Sequence, residues 1–254
     1  MLRIFFIGSG RLNQNLAHAF LNTDVEMVGV HSQTEQHAQV FSEKFGMPLF
    51  IDLTSIPADC DVYFLGVSDN AISEVSALLN VKGVVVHCSG LLAINVLDPK
   101  NHRGVFWPIQ SLNKDLYADF SQVPICIEAS DEINLRILES LADRITRKAR
   151  FISTKQRQTL HLSAVMANNF SNHLFVLAKD YLHQHNLNFQ DLMPLIQETF
   201  RKITIMDPAL VQTGPAARND VNTMLLHEEM LRNNQELLKI YKTMSESIRI
   251  KHST

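Results

Sequence analysis

Residues 4–20 read IFFIGSGRLNQNLAHAF, a short apolar run that ends in Gly8, Ser9 and Gly10 and opens directly into a helical pattern. Glycines so placed suit one kind of chemistry. The first permits a tight turn, and the second lets the backbone come close to a pyrophosphate at the positive end of the following helix. Gly8, Ser9, Gly10, Arg11 and Leu12 are therefore expected to cradle the phosphates of a dinucleotide, with Arg11 over its adenine end. The third position of such turns is usually Gly or Ala because helix and strand pack closely there, and this chain has Asn13 instead. A slightly wider approach accommodates it, leaving its amide to bond nearby backbone or the ligand. Glycines that serve only a strand-to-helix turn are the weaker reading in this context.

An acidic residue about 20 residues further on would hold the ribose hydroxyls of NAD. The stretch GVHSQTEQ instead offers His31, Ser32, Gln33 and Thr34, with no carboxylate to repel a 2′-phosphate. NADP is the expected cofactor. Ser32 and Glu35 also fit a capping box for the next helix, a role that needs no ligand. Later, LGVSDNAI sets Val67, Ser68 and Asp69 at the end of one apolar run, and HCSG sets His87, Ser89 and Gly90 at the end of the next. Open parallel sheets bind ligands at such ends. Ser68 and Asp69 serve equally as helix caps, and His87 equally as a core histidine.

A helix from about residue 155 carries Met166, Phe170, Leu174, Leu177 and Tyr181 as one apolar stripe at ~100° per residue. His161, Asn168 and Asn172 fall on the opposite side, bordered by Ala164, Val165, Phe175 and Val176. Polar groups set among apolar ones need partners, either a neighbouring helix or a ligand in a cleft. TGPAARND fixes a turn at Gly214 and Pro215 and places Arg218 and Asp220 at a helix start. A cation there opposes the helix dipole unless an anion relieves it, either Asp220 or a substrate carboxylate gripped as a bidentate fork. His227, about two turns later, is expected to share that cleft. His161 or His227 is the candidate proton donor, since imidazole titrates near neutral pH, and Asn168 is placed to orient a carbonyl or imine.

Particular elements must hold these groups. Apolar runs at 2–7, 25–30, 62–67 and 84–86 are continuous in hydrophobicity, as in strands buried on both faces. The helical patterns at 11–22, 34–45 and 70–79 have the length of right-handed crossovers. Further strands at 105–107, 123–127 and 150–152, with a helix at 133–142, extend the same sheet. The expected fold class is α/β, a doubly wound parallel sheet followed by an all-α C-terminal domain. Residues 1–153 form the dinucleotide-binding domain. Residues 154–254, with helices at 155–184, 189–205 and 219–247, form a helical domain that supplies a substrate cleft and a dimer surface.

With 46% hydrophobic residues in 254, the chain can bury a sizeable core. A net charge of −3 argues against a nucleic-acid partner, and no apolar run suits a membrane. The chain begins in a strand-like segment without a basic, apolar leader, so a cytoplasmic location is expected. Cys60, Cys88 and Cys126 are widely spaced, which suggests neither a disulfide framework nor a metal site.

With GSGRLNQNLA, DVYFLGVSDNAI, HCSG, GVFWPIQSL, AVMANNFSNHL and QTGPAARND in that order, the chain resembles bacterial Rossmann-like proteins with a C-terminal domain of unknown function, DUF2520. These are labelled NADP- or coenzyme F420-dependent oxidoreductases. More distantly the chain is similar to pyrroline-5-carboxylate reductase and the β-hydroxyacid dehydrogenases. The resemblance implies hydride transfer between NADP and a small carbonyl, imine or hydroxy-acid-like substrate, with Ser89 and Gly90 on the nicotinamide side. It also implies a helical domain that closes on the nicotinamide and builds a homodimer. β-Hydroxyacid dehydrogenases carry a lysine, and an asparagine one turn later, on the first helix of the second domain. Here His161 stands near that place without a Lys-x-x-x-Asn pattern, so their mechanism does not transfer. The alternative is an NADP-binding sensor or scaffold without turnover.

Overall fold

Strand β1 (Arg3–Ile7) buries Ile4 and Phe6 against one face and Phe5 and Ile7 against the other, which is why its sequence is apolar throughout. The structure is a computed structural model that describes residues 1–252. Seven further strands follow: β2 (Glu26–His31), β3 (Leu49–Phe50), β4 (Val62–Leu65), β5 (Val84–His87), β6 (His102–Pro108), β7 (Ile125–Ala129) and β8 (Ala149–Phe151). They form one sheet in the order β3-β2-β1-β4-β5-β6-β7-β8. Helices α1 (Arg11–Phe20), α2 (Glu35–Phe45) and α4 (Glu132–Ala142) bury Leu16, Phe20, Phe41 and Leu138 on the Phe6 face. Helix α3 (Ile72–Leu78) packs Ile72 on the Phe5 face. The strand order reverses at β1, which has β2 on one side and β4 on the other, and such a switch point opens a crevice at the carboxyl ends of the strands.

The sheet departs from the all-parallel expectation at one edge. Strands β1 to β6 are parallel, but β7 runs antiparallel to β6, with Pro108 opposite Ile125. The connection between these two strands holds only a single 3-10 turn at Phe120–Gln122 and no crossover α-helix, so it returns the chain in the opposite direction. Strand β3 is two residues long, too short to show a period in sequence.

Beyond β8 come α5 (Thr154–Ala164), a π-helical turn at Val165–Phe170, and α6 (Ser171–Gln184), then α7 (Met193–Ile203), α8 (Val221–Met230) and α9 (Gln235–His252). Ser153 and Gln156 form a capping box at the start of α5. The π turn breaks the single helix expected over 155–184 and its constant angular phase, and Met166 and Phe170 are exposed. The helix expected over 219–247 is likewise two helices, because the Asn234 carbonyl side chain accepts from Leu237 N at 3.1 Å and starts α9 anew. The chain forms two compact units, Met1–Asn169 and the residues from Phe170 onward. Composition changes at residue 153, but α5 belongs with the sheet because its Arg157 is buried there. No helix among the described residues is long and apolar enough to cross a membrane.

Candidate functional site

Gly8 has a φ of +95°, and a Cβ there would collide with the Gly66 carbonyl. Its N–H donates to the His31 carbonyl at 2.7 Å and Gly66 N–H donates to the Ile7 carbonyl at 2.8 Å, so the turn is pinned between β2 and β4. Gly10 is the N-cap of α1 with ordinary dihedrals, and a Cβ there would touch only the Gly66 oxygen, at 3.5 Å. The helix has no side-chain cap and no acid in its first turn, as suits an anion at its N-terminus. Asn13 is fully buried and donates to the carbonyls of Ile7 at 3.1 Å and Gly8 at 2.7 Å. Its side chain fills the space that any Cβ on Gly66 would take. The departure at the third position is thus met by a glycine 53 residues away, and the amide serves the backbone of the turn itself.

Three cavities run along the strand ends, all within the first unit. The first, about 290 Å³, is lined by Ser9, His31, Ser32, Gln33, Thr34 and Ser68. The second, about 430 Å³, is lined by Arg11, Leu12, Asp69, Ser89 and Trp107. Gly10, Gly66 and Val67 wall both. The third, about 530 Å³, is lined by His161 and Asn168 and shares Trp107, Gln110 and Ser111 with the second. Together they make one trough from the end of β2 past β6 to α5.

Several expected residues lie in this trough in unexpected roles. Arg11 walls the second cavity and not the first, away from the end assigned to adenine. The Ser32–Glu35 capping box does not form, because Thr34 is the N-cap of α2 and Ser32 Oγ instead accepts from Ser9 Oγ at 3.2 Å. His31 is braced by its Nδ1 contact with the Phe50 carbonyl at 2.9 Å. Asp69 caps nothing with its carboxylate, which accepts from Ser89 Oγ at 2.8 Å. Ser89 Oγ in turn accepts from Leu91 and Leu92 N–H at 3.2 and 3.1 Å, folding the loop after β5 onto itself. His87 is buried, accepts from Ser89 N–H on Nδ1 at 3.2 Å, and titrates at about 4, first because of burial and then because of the Arg157 charge. It is a neutral brace for the loop. Burial also pushes the Cys88 thiol up, so it is not a nucleophile at neutral pH.

Gly90 lies directly under His161, and a Cβ there would run into both the imidazole and the Trp107 indole. The two rings are 5.8 Å apart at 56°. Trp107, Gln110 and Ser111 fall in the stretch GVFWPIQSL and Gly66 in DVYFLGVSDNAI, but no chemistry of their own singles them out there as site residues. Their signal is only position, a polar pair or a glycine immediately after an apolar run.

Arg218 and His227 belong to the second unit. Arg218 is exposed on the turn before α8, where the Thr223 hydroxyl and N–H bonds, with Arg218's charge behind them, hold Asp220 below the usual carboxylate range. Asp220 caps α8 through those bonds. His227 Nδ1 lies 2.9 Å from Tyr241 Oη, beside an apolar cavity of about 520 Å³ whose walls include Leu174, Met230, Leu237 and Met244.

A positive-φ glycine turn at the switch point, a helix N-terminus open to an anion and a trough along the strand ends define a dinucleotide-binding α/β protein of Rossmann type. The comparisons with known proteins agree. Residues 3–88 match the model of the NADP oxidoreductases described as coenzyme F420-dependent, and residues 123–248 match DUF2520, a domain of unknown function. A candidate NADP oxidoreductase from Bacteroides fragilis is 33% identical over 98% of both chains, with a TM-score of 0.90. The chain belongs to this family of NADP oxidoreductases with a C-terminal DUF2520 domain. A reductive aminase from Aspergillus terreus, solved with NADPH and ethyl levulinate, shares the fold at 12% identity, a TM-score of 0.73 and coverage of 97% of this chain and 93% of that one. So does a 1-pyrroline-5-carboxylate reductase from Streptococcus pyogenes, at 12% identity, 98% coverage of each chain and a TM-score of 0.66. No curated protein matches the chain.

Proposed function

We propose that this protein transfers hydride between NADP and a small carbonyl, imine or hydroxy-acid substrate held in the third cavity. The observation that carries the reading is the shared wall at Trp107, Gln110 and Ser111, which joins a cavity lined by His161 and Asn168 to the one that contains the glycine turn. The residues present fit the cofactor: Gly10 opens onto the cavity without a side chain, and Ser32, Gln33 and Thr34 put no carboxylate where a 2′-phosphate would rest. When bound, the nicotinamide supplies or accepts the hydride. In this reading the Gly8–Leu12 turn holds the pyrophosphate, Ser9 and Ser32 the ribose phosphate, and Val67, Ser89 and Gly90 the approach to the nicotinamide. His161 holds and delivers a proton at the substrate heteroatom, and Asn168 donates a hydrogen bond that orients it. For the second unit, the proposals are Arg218 as a carboxylate fork and His227 as a further proton donor. We also propose that the chain works as a homodimer.

The test is direct. NADPH and NADH are titrated against the full chain by energy transfer from its single tryptophan, Trp107, and turnover is then assayed on a panel of keto acids, cyclic imines and hydroxy acids. NADPH is expected to bind at least about tenfold tighter, a difference of roughly 1.4 kcal/mol. Equal affinity would remove the NADP assignment, and tight NADPH binding with no turnover of any panel member would leave the sensor reading in its place.

A further inference from the structure

We infer that Arg157 is the positioning residue of the substrate end of the trough: it ties the loop after β5 to α5 so that His161 stands over Gly90 and against Trp107. The inference rests on the reading of that cavity given above.

Arg157 is completely buried and heads the fully buried side chains by size. Its Nη1 pairs with Glu128 on β7, and its Nη2 donates to the Leu92 carbonyl, at the end of the loop that follows β5. Thr154 completes the grip by donating to both Glu128 oxygens at 2.9 Å. The next residue, Gln158, donates from Nε2 to the Leu91 carbonyl at 2.9 Å, so consecutive residues of α5 hold consecutive carbonyls of one loop. The same loop is folded around Ser89 Oγ, whose own proton goes to Asp69 in the wall of the second cavity. A continuous polar chain thus runs from Asp69 through Ser89, Leu92 and Arg157 to Glu128. One helical turn beyond Arg157 is His161.

Taking a guanidinium out of water is costly, and an apolar side chain of the same volume would join helix and sheet at least as well. What a planar fork adds is direction, because its donors fix both the loop carbonyl and the helix relative to β7. A displacement of about 1 Å at a reacting group can cost roughly 100-fold in rate, so such a fixture matters most beside a proton donor.

The experiment uses Trp107, the chain's one tryptophan, as a gauge of His161, since an imidazole in contact with an indole quenches its emission. In the native background His161→Leu is expected to raise Trp107 emission. In the Arg157→Met background the same substitution is expected to change emission little, because His161 has already left the indole. Arg157→Met is further expected to keep NADPH affinity within about threefold while kcat falls roughly 10- to 100-fold, and Arg157→Lys to recover only part of the loss. A full His161 quench in folded Arg157→Met overturns the inference. Where Arg157→Met does not fold, the same fluorescence cycle is run on Glu128→Gln, which keeps the side-chain shape and weakens the grip, with the same two outcomes. The cycle needs no turnover, so a failure of the proposed reaction leaves this result readable by itself.

Discussion

The two units bury their apolar residues to very different extents. In the sheet unit, Phe6, Phe64 and Phe106 are wholly buried, with the Phe64 ring stacked on Phe6 at 5.7 Å and edge-on to Phe106 at 5.3 Å. In the helical unit only Ala216 and Leu231 are buried among the described apolar residues, while Phe200 is 47% and Leu226 61% exposed. Its polar pairs are mostly local, such as Glu198 with Arg201 or Glu246 with Arg249, and exposed pairs of that kind add little. Exposed apolar residues stand on several helices of the helical unit, and that exposure is what supports the proposal of a homodimer.

The comparison can be broken or sharpened in order of expected effect. Phe64→Ala in the sheet unit should cost about 3–5 kcal/mol in urea unfolding, because the cavity cannot collapse against Phe6, Phe20 and Phe106. A loss below about 1 kcal/mol would mean that the sheet core is far softer than its packing. The next effect is set by pH. His87 titrates at about 4 when folded against 6.5 ordinarily, so the unfolded chain binds the extra proton between those values and stability falls as pH drops from 6.5 toward 4. His87→Gln should flatten that acid limb by about 3 kcal/mol when unfolding midpoints are compared from pH 7 to 4.

Gly10→Val should fold normally, since a Cβ there meets nothing closer than 3.5 Å, yet weaken NADPH binding by about 100-fold or more, near 2.7 kcal/mol, by filling the phosphate approach. Unchanged binding would mean the turn does not hold the phosphates. In the helical unit Leu226→Ser should leave monomer stability within about 0.5 kcal/mol but shift light-scattering mass toward the monomer on dilution. A mass that stays constant would remove Leu226 from any interface. The smallest effect concerns Arg218→Lys, which should change stability by at most about 1 kcal/mol. If Arg218 is a carboxylate fork, the same variant should weaken binding of small carboxylates while NADPH affinity stays normal.

Much of the sheet unit was legible because its signals are local. Continuous apolar runs with helical patterns between them specify buried parallel strands, and Gly8 marks the turn through a positive φ that other residues rarely adopt, while Gly10 leaves the approach to the start of α1 bare. The family could be read from six ordered stretches. Tertiary structure decided what depends on residues far apart in the chain. Asn13 is tolerated because Gly66 vacates the space beside it, and Asp69 spends its carboxylate on Ser89 where a helix cap was equally reasonable. The π turn at Val165–Phe170 hides from a periodicity of 3.6, because a single wide turn alters the phase without altering composition. Nothing local in the sequence marks Arg157, and only the fold brings Glu128 and the Leu92 carbonyl to it. A local pattern can state which backbone shapes are possible. Which distant group fills a gap or meets a charge is set by packing.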